Sequence, residues 1–320
     1  MKRCVSATDQ AIGEALAKPF VARTFGVGDR KRVETMIETV EGSFGDDVRR
    51  VSWMDDGTRS RALEKAAAVA NKVGFPDRWR RYDALVIDRT SHLANVLRAE
   101  VFESRRQLDK IGRPVDRTEW RITPPTVNAY YDPSLNEMVF PAGILQPPFY
   151  VAAAGDPVNY GAIGMVMGHE LTHGFDDQGR KFDAHGNLRD WWTPEVAGAF
   201  RERAECIVRQ FESYAVVDDE HVNGRLTLGE NIADQGGLKL AYAAHRARGS
   251  TADREFFLAF AQSWCTKRRP DLDRLLVKVD PHSPPRFRVN GAAANLDAFA
   301  TAFSCAAGSP MAPATRCAVW

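Results

Sequence analysis

No stretch of this 320-residue chain approaches the run of roughly 18 apolar residues that a membrane-spanning helix needs. The opening residues, Met1-Lys2-Arg3-Cys4-Val5-Ser6, start basic and turn polar without an apolar core, so no secretory signal or anchor is legible in this chain. An excess of one charge is missing too: 43 Lys and Arg stand against 42 Asp and Glu, for a net charge of +1. With its arginines interleaved among acids, the chain has no basic stripe of the kind that binds nucleic acid. The five cysteines, Cys4, Cys206, Cys265, Cys305 and Cys317, include no CxxC pair, which argues against a cysteine zinc site. Composition leaves two readings of them open: reduced thiols in a cytosolic protein, or a secreted disulfide framework with an odd member. The terminal Cys317-Ala318-Val319-Trp320 imitates a prenylation box but ends on an unusual Trp. Gly26-Val27-Gly28 lacks the third glycine of a nucleotide-binding loop, and no Asn-x-Ser/Thr acceptor is present for N-glycosylation.

What is there is enough apolar residue, 44%, for a sizeable core in one large domain or two. Residues 1 to about 110 read as helical. Val33, Met36, Ile37 and Val40 recur at helical spacing. The Ala-rich stretch from Thr58 to Val73 reads as a helix stopped by Gly74 and Pro76, and Ser91 to Ile111 as another stopped by Gly112 and Pro114. From Trp120 to Phe149 aromatics, prolines and β-branched residues take over. Residues 124–133 read as a strand, Asp132-Pro133 to Asn136 as a turn, and Val139-Phe140 as a second strand. Helical patterns return over 159–177, 195–214, 230–248 and 253–267. A loop is expected at 281–285 and a short helix at 296–303. The expected class is α+β, mostly helical, with a helical segment over 1–118 and a mixed domain over 119–320.

The segment Gly168-His169-Glu170-Leu171-Thr172-His173 carries the HExxH spacing. Two residues four apart lie one turn apart on the same helix face, so both imidazoles can reach one metal ion. Glu170, beside the first of them, can take a proton from a zinc-bound water and deliver it to a leaving amine. A catalytic zinc keeps one position open for that water, so one further protein ligand is required. Gly229-Glu230-Asn231-Ile232-Ala233-Asp234 offers two carboxylates four apart on an expected helix. One of them can ligate zinc while the other accepts a hydrogen bond from a ligand histidine.

At these residues the chain resembles the neprilysin family of zinc endopeptidases, which includes endothelin-converting enzymes and bacterial oligopeptidases. The resemblance rests on Val127 to Tyr131, Phe140 to Phe149, the helix through His169, Gly229 to Asp234, and the closing Cys317 to Trp320. It is strong over residues 120–320 and looser before them. It implies a thermolysin-like zincin catalytic domain holding one Zn2+ per chain through His169, His173 and Glu230, with Glu170 as acid/base. It further implies that Asp234 supports a ligand histidine, that His282 stabilises the oxyanion, and that Arg288 binds a substrate carbonyl. Asn128 and Ala129 would pair with the peptide backbone as an added strand. Ile144, Phe149, Val166 and Trp264 would form the apolar pocket for the residue after the scissile bond. The implied activity is cleavage of oligopeptides on the amino side of hydrophobic residues.

Family members run to about twice this length, with an N-terminal helical lobe over the active site. The chain is therefore expected to be the catalytic part of a longer protein exported to an oxidising compartment, with residues 1–118 a remnant of that lobe. The resemblance pairs Cys206 with Cys317 and leaves Cys4, Cys265 and Cys305 without partners. Two rival expectations remain: an aminopeptidase, which shares HExxH and a downstream Glu, and a catalytically impaired remnant that only binds peptides.

Overall fold

The chain opens with α1 (Lys2–Thr24), kinked at Ile12, and the long helix α2 (Val27–Arg50). On α2 the spaced apolar residues Val33, Met36, Ile37 and Val40 are buried together with Phe44 and Val48. Steps of three and four residues place all six on one stripe. The computed structural model describes residues 1–320 and is mostly helical, with two small sheets. Helix α3 (Asp56–Ala67) is capped by Asp55, whose carboxylate accepts the Thr58 backbone N–H at 2.7 Å.

The Ala-rich stretch does not stay helical to Val73. It leaves α3 at Ala67, and Ala70–Gly74 form strand β1. Helix propensity is a weak preference at each residue, and here tertiary pairing overrides it. After α4 (His92–Leu108) come β2 (Tyr130–Asp132) and β3 (Glu137–Pro141). Strand β1 pairs along its whole length, in parallel, with the fully buried β3, and Lys72 meets the buried Glu137 at 2.8 Å. The sheet order is β1-β3-β2, with β2 antiparallel to β3. The strand expected over 124–133 narrows to Tyr130–Asp132, because Pro124 and Pro125 have no N–H to give a ladder. Asn128 and Ala129 lie just ahead of β2.

Helix α5 (Asp156–Asn159) passes through a π turn at Tyr160–Gly164 into α6 (Met165–His173), which ends at Gly174 rather than at the expected Asp177. There follow α7 (Pro194–Glu212), the hairpin β4 (Ala215–Val217) and β5 (Glu220–His221), and α8 (Leu228–Ala247). The chain closes with α9 (Asp253–Ser263), α10 (Pro270–Val279), α11 (Pro285–Ala294) and α12 (Asp297–Phe303). Helix α9 stops short of the expected Lys267. Helices α10 and α11 were not among the expected elements, although each begins with a proline in its first turn, where the missing N–H costs nothing. No helix is long and apolar enough to cross a membrane.

One apolar core joins Val33, Ile37 and Phe44 to Phe140, Met167 and Leu238, so the boundary expected near residue 118 does not divide it. The last residues belong to that core. Trp320 packs its ring against Phe44, Trp53, Phe175 and Trp192, and Cys317 forms a disulfide with Cys206 of α7. Cys4, Cys265 and Cys305 are free. The bridge joins residues 111 apart. Constraining so long a loop in the unfolded chain typically contributes about 2–4 kcal/mol. Cys206→Ala/Cys317→Ala should therefore lower the unfolding free energy in a urea titration by about that amount. An unchanged midpoint would mean that the aromatic packing alone holds the tail.

Candidate active site

The geometry of the site begins with glycines. Helix α6 crosses α8 where Gly168 meets Gly237: a Cβ on Gly168 would lie 2.8 Å from the Gly237 carbonyl oxygen, and one on Gly237 would lie 2.6 Å from the His169 nitrogen. Only two residues without side chains permit that approach. It brings the first turns of α8 alongside His169.

There His169, His173 and Glu230 present three ligand atoms that all lie within 4.8 Å of one another. The two Nε2 atoms are 3.0 Å apart, and Glu230 reaches His169 Nε2 at 3.3 Å and His173 Nε2 at 3.5 Å. The opposite ring nitrogens are engaged by acids. His169 Nδ1 is 2.9 Å from Asp234, and His173 Nδ1 is 2.7 Å from Asp176. A carboxylate at Nδ1 holds the proton there and leaves the Nε2 lone pair for a metal. Two imidazoles and one carboxylate, converging with their tautomers fixed, fit a Zn2+ ion with an open fourth position.

Electrostatics point the same way. Burial resists charge on His169 and His173, but Asp234, Asp176 and Glu230 outweigh it, so both rings sit above their ordinary range. Burial likewise resists ionisation of Glu230, yet the hydrogen bonds from the two histidines hold its carboxyl well below the usual range. A cluster that draws in positive charge this way suits a cation. Burial lifts the Glu170 carboxyl, with Glu230 adding to the rise, against the opposing pull of His169 and His173.

Around these atoms lies a cleft of about 520 Å³, and Ile144, Phe149, Val166, Trp264, Asn128, Ala129, Glu170, His282 and Arg288 all line it with His169, His173 and Glu230. Asp234 alone of the expected residues is not in the wall; it is fully buried behind His169. Arg288 on α11 is buried as well, bound to Asp234 through Nε at 2.7 Å and Nη2 at 2.6 Å and stacked on Trp264 at 4.1 Å. Burial works against its charge, but Asp234 and Glu230 more than offset that and keep the guanidinium protonated. His282 is half-exposed, its Nδ1 against Asp280 at 2.7 Å and its Nε2 3.3 Å from Glu230.

Several residues of the site were not singled out from the sequence. Asp176 stands three residues after His173, a spacing at which a side chain can reach back one turn; that signal was available. The buried Ser283 hydroxyl donates to Asn231 on α8 at 2.7 Å and so ties the loop carrying His282 to the helix carrying Glu230. Nothing in the sequence joins residues 52 positions apart. Tyr131 and Gln178 are also part of the wall.

The sequence model of peptidase family M13 matches residues 128–319, and a second model of the same family matches residues 1–76. An endothelin-converting enzyme homolog of Locusta migratoria is 43% identical, over 99% of this chain and 46% of its own length. Endothelin-converting enzyme 1 of Rattus norvegicus is also 43% identical, over 100% of this chain and 44% of its own. Among solved structures, the inhibitor complex of the zinc metalloprotease Zmp1 of Mycobacterium tuberculosis matches with a TM-score of 0.92 at 42% identity, covering 97% of this chain and 49% of that one. PepO of Lactobacillus rhamnosis matches at 0.85 and 32%, covering 96% and 49%. The chain thus spans about half the length of the relatives it matches.

Proposed function

The chain belongs to peptidase family M13, and from that membership we propose that it is a zinc-dependent endopeptidase that cleaves oligopeptides on the amino side of hydrophobic residues. The observation that carries this reading is the convergence of His169, His173 and Glu230 beside an unengaged Glu170 in an open cleft. A zinc ion bound there, one per chain, supplies Lewis acidity toward a water and the scissile carbonyl. The chain's own residues do the rest. Glu170 makes no hydrogen bond to protein, and its burial raises its affinity for a proton. It is suited to take a proton from the attacking water and return it to the departing amine. His282, half-exposed in the cleft lining, is suited to donate to the oxyanion, where charge develops in the transition state.

Substrate is held from two sides. Asn128 and Ala129, which line the cleft just ahead of β2, are suited to offer main-chain groups to a peptide strand. Arg288 keeps Nη1 without a protein partner while Asp234 fixes the other edge of its guanidinium, which orients a donor toward a substrate carbonyl. Ile144, Phe149, Val166 and Trp264 give an apolar pocket for the side chain after the scissile bond. The Cys206–Cys317 bridge supports an oxidising, extracytoplasmic setting.

The test is cleavage of an N-terminally blocked, internally quenched peptide with a central Phe or Leu. Cutting before the apolar residue, abolished by a chelator and restored by zinc, is expected. Requirement for a free N-terminus would make the enzyme an aminopeptidase. Bound zinc without cleavage would leave only peptide binding.

A further inference from the structure

A lysine far from the motif in sequence lies directly beneath it. Lys65 on α3 is 1% exposed. Its ammonium donates to three backbone carbonyls: Gly174 at 2.5 Å, Gly179 at 2.8 Å and Phe182 at 2.8 Å. It also lies 5.1 Å from the centre of the Phe175 ring and 5.8 Å from that of Tyr131. Burial, only partly offset by Asp176 and Asp183, brings the group down to about 7. Three carbonyl acceptors need three N–H donors, which only the charged form has. The negative end of α6 and the two ring faces stabilise that charge.

The three carbonyls belong to one short loop. Gly174 closes the zinc-binding helix directly after His173. Between Gly174 and Phe182 sits Asp176, whose Oδ2 faces His173 Nδ1 at 2.7 Å and whose Oδ1 accepts the backbone N–H of Gln178 at 2.8 Å and of Gly179 at 2.7 Å. The loop folds so tightly onto the helix that a Cβ on Gly179 would lie 1.7 Å from the His173 carbonyl oxygen. Lys65 therefore grips both ends of the loop whose middle orients a ligand ring. From the other side Asn136 donates to the Lys65 carbonyl at 3.1 Å and accepts the Tyr131 hydroxyl at 2.7 Å, which fixes the lysine backbone against β2.

We propose that Lys65 is a positioning residue of the zinc site: by binding the carbonyls of Gly174, Gly179 and Phe182 it holds Asp176 against His173 and so sets the metal affinity. This rests on the reading of His169, His173 and Glu230 as the metal ligands. It gives the α3 segment, more than 100 residues before the motif, a direct part in the site.

Chelator competition on the full chain tests it without relying on turnover. Lys65→Met matches the length of the lysine but offers no donor. It should fold, judged by near-ultraviolet circular dichroism, and bind zinc roughly 10–100-fold more weakly, the range for lost support of a ligand histidine. In the peptide assay kcat should fall with zinc while KM moves less than about twofold. Asp176→Asn should weaken zinc by a similar factor, and the double variant by much less than the product of the two, because both act through one contact. Lys65→Gln, which leaves at least one carbonyl unpaired, should fall between. Folded variants with the parent's zinc affinity, or strictly multiplicative effects with Asp176→Asn, would overturn the proposal. So would failure of both Lys65 variants to fold, since the role would then be general stability. A parent chain that binds no zinc would instead overturn the assignment of the ligands.

Discussion

Replacing Glu170 by Gln should lower kcat/KM for the quenched peptide by roughly 10²–10⁴-fold, the span expected for a positioned acid/base group, while the zinc content stays at the parent level. The separation of the two readouts follows from the geometry. Glu170 is adjacent to His169 in sequence but is not one of the three converging ligand residues. It makes no protein hydrogen bond that the amide would break, and Gln fills nearly the same volume, so the helix and its ligands should not move. The amide cannot accept a proton. The size of the loss reflects the site: burial, which raises the Glu170 carboxyl, brings its proton affinity nearer to that needed at neutral pH. Zinc per chain and kcat/KM measured on the same preparation decide it. A variant that keeps a tenth or more of the activity with zinc bound would place proton transfer on another group.

How much of this was legible in the sequence differs from residue to residue. His169, Glu170 and His173 announce themselves because a helix repeats every 3.6 residues and the chemistry needs that step. Glu230 and Asp234 use the same step on a second helix, but spacing could not say which of the two ligates. Their positions differ: Glu230 faces both Nε2 atoms, which suits the ligand role proposed for it, whereas Asp234 lies behind His169 at Nδ1. His282, Arg288 and the four pocket residues came from family resemblance, because no local rule marks an arginine on α11 or a tryptophan after α9. Their meeting depends on the close crossing of α6 and α8 at Gly168 and Gly237, and the sequence shows glycines there but not which partner each one meets. Lys65 was hidden most deeply. In sequence it is one cation in an amphipathic helix, and its burial follows from three carbonyls supplied by residues 109 to 117 positions away. Strand β1, where the local pattern favours a helix, has the same origin, since its pairing partner is β3. Local patterns thus reached the elements and the motif, and long-range contacts supplied the support around them.

Asp234→Asn should produce the largest combined loss of stability and metal affinity of any change outside the ligands. The carboxylate is fully buried and serves two partners at once: Arg288 through both oxygens, at 2.7 and 2.6 Å, and His169 Nδ1 at 2.9 Å. Burial alone would favour the neutral acid, but Arg288 and His169 hold the group ionised, below its ordinary range. The amide keeps the shape and removes the charge. Arg288 then remains buried with its bidentate partner gone, a situation that costs about 3–5 kcal/mol when one side of a buried pair is removed. Glu230 lies 3.4 Å from Arg288 Nη2 and relieves part of this, but only by turning toward the guanidinium and away from the histidines. His169 meanwhile loses the charge that keeps its proton on Nδ1, so the Nε2 lone pair is no longer reserved for metal, and zinc affinity should drop by about 10–100-fold. Urea unfolding of the metal-free chain reads the first effect and chelator competition the second. If the cost is chiefly the stranded arginine, adding Arg288→Met should recover most of the stability in the metal-free state and none of the zinc affinity. Recovery of both would show that Asp234 acts on the metal through Arg288 rather than through His169.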